Sequence, residues 1–116
     1  MPSAAVFLLV LAACATAQAA DATRGKELYE SRCGGCHSLD HDRIGPRHRD
    51  VIGRKAGAVA GFEYSPALRG SGIVWSAQTL DAWLADPERL VPGQRMNYGV
   101  PDAADRAALI DYLKTN

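Results

Sequence analysis

An all-α fold of about three to five helices joined by irregular loops is predicted from three features of this 116-residue sequence. Gly25, Tyr29 and Cys33 recur every four residues, which places them on one face of an N-terminal helix. Near the other end Asp102 stands three residues before Asp105 and reads as an N-cap, with Arg106, Leu109, Ile110 and Leu113 following at helical spacing. Alternating or β-branched runs of the kind that parallel strands need are missing.

A further helix is expected after Ser76, with Leu80, Trp83 and Leu84 as its apolar stripe and an end near Asp86-Pro87. The segment from His37 to Trp75 is rich in glycine and poor in periodicity. So long an irregular stretch needs an apolar surface other than its own to pack against.

The charge is unevenly placed. The first twenty residues hold no charged side chain and sixteen apolar ones, so all 13 basic and 13 acidic residues fall in 21–116. A balanced charge excludes a nucleic-acid binder that works through a basic excess, and 47% hydrophobic residues exclude a disordered chain. The apolar run from Ala4 to Ala13 has the length of an export-signal core and is too short for a membrane span. Small-x-small sites follow at Ala15-Thr16-Ala17 and Ala17-Gln18-Ala19, although no basic residue precedes the run. We therefore read 1–20 as a signal peptide and 21–116 as one exported domain, with a bacterial periplasm as its destination. Leu11-Ala12-Ala13-Cys14 also matches a lipobox, which would anchor the product at a membrane through lipidated Cys14. The A-x-A sites favour a freely soluble product, and a monomer is expected.

Removing that leader leaves two cysteines, in Cys33-Gly34-Gly35-Cys36-His37. This is C-x-x-C-H, the attachment signature of c-type haem. Two thiols at this spacing reach the two vinyl groups on one porphyrin edge, and the next residue offers its imidazole to the iron. Gly34 and Gly35 leave the backbone free to approach the macrocycle. A thioredoxin-like dithiol would need parallel strands and no histidine, and a zinc site would need a second ligand pair, for which only His41 and His48 lie nearby. The sixth iron ligand is expected to be Met96, the only methionine of 21–116, behind the turn-forming Pro92-Gly93. His41 and His48 follow His37 too closely in sequence for that role and are expected at the surface or on the propionate side.

The residues from 21 to 116 resemble a class I cytochrome c, in particular the mitochondrial cytochrome c and bacterial cytochrome c2 group. The landmarks include Gly25, Tyr29, the haem motif, Gly45-Pro46, Gly53-Arg54-Lys55, Gly61-Phe62, Tyr64, Gly72-Ile73-Val74-Trp75, Val91-Pro92-Gly93, Met96 and Tyr112-Leu113-Lys114. The resemblance implies one covalent haem c wrapped by the irregular loops, His37 and Met96 as axial ligands, and terminal helices that cross at Gly25 beside Tyr112. It also implies that a carbonyl next to Pro46 accepts the His37 Nδ1–H, and that Arg54, Tyr64 and Trp75 hold the propionates. Three positions depart from the family: Trp83 stands for a common tyrosine, Leu68 for an asparagine and Gln94 for a threonine. They put the polar network beside the methionine sulfur in question.

An iron with both axial positions filled has no site for substrate, so the expected function is one-electron transfer between redox proteins of a respiratory or photosynthetic chain. No catalytic residues are expected. Partners would dock at the exposed haem edge, near Arg32, Arg89 and Arg95, with Glu88 interrupting the basic series. Zero net charge predicts docking that depends less on salt than for a strongly basic cytochrome. The alternatives are a dedicated electron-accepting subunit of a periplasmic dehydrogenase, a haem peroxidase, and a haem-free dithiol protein.

Overall fold

The two ends of the described chain meet. The computed structural model describes residues 21–116, so the leader assigned to 1–20, with Cys14, lies outside the described residues. Helix α1 is α-helical over 21–28 and closes in a π turn, Tyr29–Cys33, where the Gly34 N–H reaches back to the Tyr29 carbonyl at 3.0 Å. The extra residue in that turn re-aims Cys33, as π turns at functional sites often do. Helix α5, Ala103–Lys114, crosses α1 at Gly25, where a Cβ would stand 2.5 Å from the Ala108 carbonyl oxygen and 3.1 Å from the Tyr112 Cβ. Only glycine lets the backbones come so close. Asp105 ties the pair together, binding both Arg24 and Arg32 of α1.

Helix α3, Ala77–Ala85, starts in the expected place with a capping box: Ser76 Oγ accepts the Thr79 N–H at 3.1 Å, and Thr79 Oγ1 accepts the Ser76 N–H at 2.8 Å. It stops at Asp86, whose backbone is extended before Pro87. Asp102 caps α5 as expected, accepting the Asp105 N–H at 2.9 Å. Two single turns complete the set, α2 (Pro66–Arg69) behind Ser65 and α4 (Pro87–Leu90) behind Asp86, each with proline inside its first turn. Among the described residues there is no strand, only an isolated antiparallel bridge between Lys55 and Val74. The five helical elements fit the expected all-α class.

Arg106 of α5 joins the layers, with Nε bonded to Asp81 on α3 at 2.8 Å and Nη1 to the Val100 and Pro101 carbonyls at 2.9 Å each. Leu80, Trp83 and Leu84 of α3 meet Leu109, Ile110 and Leu113 of α5 in one buried cluster that also takes in Tyr29, Val51, Trp75 and Val100. The irregular stretch has its own backbone bonds: His48 N–H to the Ser38 carbonyl, Gly53 N–H to the Trp75 carbonyl and Ala56 N–H to the Ile73 carbonyl. These bonds fold the loops into the wall of a cavity.

Candidate functional site

The motif begins where α1 ends. Both the Cys36 and His37 amides bond to the Cys33 carbonyl, at 3.0 and 2.8 Å, which folds the five residues into one tight turn. A Cβ on Gly34 would lie 2.5 Å from the Glu30 carbonyl oxygen, whereas one on Gly35 would meet nothing within 4 Å. Gly34 is thus required by its own helix, and no steric demand of the protein requires Gly35. Cys33 is half-buried, and burial pushes its thiol up to about 11. A protonated thiol is a poor nucleophile, which speaks against a reactive dithiol.

His37 is buried, and its Nδ1 lies 2.8 Å from the Pro46 carbonyl oxygen. A carbonyl only accepts, so Nδ1 carries the hydrogen. Burial holds the imidazole pKa below its ordinary value, with the Pro46 bond opposing that shift. The ring is therefore neutral and Nε2 keeps its lone pair, the tautomer that a metal-binding histidine with a carbonyl partner adopts. The accepting carbonyl is that of Pro46 itself. Gly45 completes the arrangement, since a Cβ there would overlap the His37 ring.

All eight residues singled out by sequence, Cys33, Cys36, His37, Pro46, Arg54, Tyr64, Trp75 and Met96, line one cavity of about 420 Å³. Leu68, Trp83, Leu109 and Leu113 supply much of the apolar wall. Arg54 bonds the carbonyls of Arg47 (2.8 Å) and Arg49 (2.5 Å), and burial lowers its pKa from the usual arginine value. The Tyr64 hydroxyl accepts the Val59 N–H at 3.0 Å and keeps its own hydrogen to give; burial raises its pKa. The mouth of the cavity is marked by exposed Cys36, by Ile44 at 79% exposure and by Tyr98 at 41%.

His48 is half-buried rather than exposed at the surface. The Gly45-Pro46 reversal carries it back so that its ring stacks on His37, centroids 4.0 Å apart, with Nδ1 hydrogen-bonded to the Tyr29 hydroxyl at 3.0 Å. Burial, with His37 and Arg54 adding to it, pushes its pKa down to about 3. Exposed His41 lies where expected. Of the three arginines expected near the docking edge, Arg32 and Arg95 line the cavity, and Arg89 is exposed on α4. Gln94 is buried and hydrogen-bonded to Glu88 and Asn97.

The family model for cytochrome c matches residues 22–116. The chain belongs to the cytochrome c family. It is 41% identical to cytochrome c 2.1 of Caenorhabditis briggsae over 99 residues, covering 83% of this chain and 88% of that one. A bacterial relative, cytochrome c-type cyt cy of Rhodobacter capsulatus, is 41% identical over 97 residues, 82% of this chain but 49% of its own length. Among solved structures, cytochrome cH from Methylobacterium extorquens superposes with a TM-score of 0.77 at 37% identity, covering 82% of this chain and 98% of that one. As a cytochrome c, the chain is an electron carrier with covalently bound haem c, works with redox partner proteins and is not an enzyme.

The residues present fit such a group. Two thiols and a neutral imidazole with a free Nε2 line one apolar cavity with a thioether, beneath a glycine whose missing Cβ makes room for the ring. The Trp75 and Trp83 rings line the same cavity.

Proposed function

We propose that this chain is an exported carrier of a single haem c, joined through Cys33 and Cys36, with His37 and Met96 on the iron. The observation that carries this reading is the convergence of those four side chains, from opposite ends of the sequence, on one cavity. When bound, haem c supplies a one-electron Fe(II)/Fe(III) couple, and a thioether ligand favours the reduced state relative to a second imidazole.

The protein's own groups hold the site still. Pro46 keeps the His37 proton at Nδ1, and Gly45 admits the ring. Arg54, Tyr64 and Trp75 stand ready as donors to the propionates. The apolar wall from α3 and α5 excludes water and limits rearrangement between redox states. Electrons pass at the mouth beside Cys36, Ile44 and Tyr98, where partner proteins dock. Arg32, already engaged by Asp105 at 3.7 Å, presents a partly neutralised charge there, in keeping with docking of modest salt dependence. Residues 1–20 serve as the export leader, which makes a bacterial periplasm the site of action. No helix among the described residues is long and apolar enough to cross a membrane.

Mass spectrometry and absorption spectroscopy of the exported product test this reading together. It requires cleavage near residue 20, or a lipid on Cys14, one added haem mass, and a low-spin spectrum unchanged by carbon monoxide. A high-spin ferrous iron that takes up carbon monoxide would overturn it.

A further inference from the structure

The loop that presents Met96 has little regular structure to hold it. Its backbone enters the left-handed region on both sides of the methionine, at Gly93 (φ 91°) and Asn97 (φ 50°). Glycine adopts that region without strain and asparagine tolerates it. Between these two points the chain is fixed by one side-chain network. Glu88 on α4 accepts the Gly93 N–H through Oε1 and the Gln94 Nε2–H through Oε2, both at 2.9 Å. Gln94 Nε2 also donates to Asn97 Oδ1 at 2.6 Å, and Gln94 Oε1 accepts the Asn97 N–H at 2.9 Å. Gln94 is only 6% exposed, so its amide would be costly to bury without these partners. The network encloses Met96 from residues 93, 94 and 97, and Glu88 links it to a helical turn capped by Asp86.

We infer that Glu88 is a positioning residue that acts through Gln94 and Asn97 to keep the Met96 loop in its ligating shape, and so sets how easily the sulfur leaves the iron. The inference rests on the reading of Met96 as an iron ligand. Glu88 touches no reacting atom. Its carboxylate uses both oxygens on the loop, and these two bonds hold its pKa below the ordinary carboxylate value. Without them, opening of the loop has less to break, and the backbone freedom it regains favours the open form.

The test uses the haem-loaded full chain and exogenous imidazole, a ligand that binds ferric iron only when the sulfur has left. Glu88→Ala is expected to bind imidazole about tenfold more tightly, the factor that loss of roughly one well-made hydrogen bond supplies. Its sulfur-to-ferric-iron charge-transfer band should weaken at neutral pH. The double exchange Glu88→Gln with Gln94→Glu restores donor facing acceptor between positions 88 and 94, and with the Asn97 amide turned so that its Nδ2 donates to the new carboxylate it is expected to bring imidazole affinity back to within about twofold of the parent. A merely structural role would not give this rescue. Met96→Ala is the reference. If it binds imidazole far more tightly than the parent while Glu88→Ala does not, the positioning role is overturned. If Met96→Ala also leaves the band and the affinity unchanged, the ligand assignment itself falls.

Discussion

Two glycines near the haem motif should respond to the same substitution in opposite ways. At Gly45 a Cβ would stand 2.5 Å from Nδ1 and 2.6 Å from Nε2 of His37, where ordinary contacts begin near 3.4 Å. Relieving that contact moves the imidazole or the Gly45 backbone by about 1 Å, enough to break the 2.8 Å bond to the Pro46 carbonyl. Overpacking of this kind costs about 1–3 kcal/mol, and a lost hydrogen bond adds about 0.5–1.5 kcal/mol. Gly45→Ala is therefore expected to lose roughly 2–4 kcal/mol, or about 10–30 °C in Tm for a domain of this size. Its spectrum should also shift as His37 leaves its position. At Gly35, where a Cβ would meet nothing within 4 Å, the same change should stay within about 0.5 kcal/mol of the parent. Thermal unfolding of the two haem-loaded variants, followed in the haem absorption band, makes the comparison. Equal stability, or a destabilised Gly35→Ala beside an unaffected Gly45→Ala, would refute the assigned packing.

The remaining expectations concern the helix crossing and the half-buried His48. Gly25→Ala gains up to about 1 kcal/mol of helix propensity but drives a methyl against the Ala108 carbonyl, so a net loss of about 1–2 kcal/mol is expected in denaturant titration; a gain would show that the helices do not touch there. His48 has a pKa of about 3 in the folded protein against 6.5 in the unfolded one, so between those values the unfolded chain takes up a proton that the folded chain refuses. Stability should accordingly fall with acid through that window, by up to about 1.4 kcal/mol per pH unit, and His48→Gln should remove this share of the slope. Parallel slopes in parent and variant would contradict it.

The helix starts were legible because each depends on neighbours in sequence. Ser76 with Thr79, and Asp102 with Asp105, form their caps within four residues, so the pattern alone reveals them. The crossing at Gly25 and the His37–Pro46 bond span longer distances and were reached through the family resemblance. His48 and the Glu88–Gln94–Asn97 network escaped sequence reasoning for a shared physical reason. Their partners are set by irregular loops, in which a reversal at Gly45-Pro46 or a left-handed residue at Asn97 decides which side chains meet. Periodicity carries no information about such contacts. The sequence did offer a cue in Asn97, a residue that tolerates left-handed backbone, directly after the methionine.

A potentiometric titration of Met96→Ala tests the proposed ligation of the iron by Met96 together with His37. Loss of the thioether should lower the midpoint potential, because the remaining ligands favour Fe(II) less, and should abolish the sulfur-to-iron band. A variant that titrates at the parent's potential with its band intact would show that the Met96 sulfur is not on the iron.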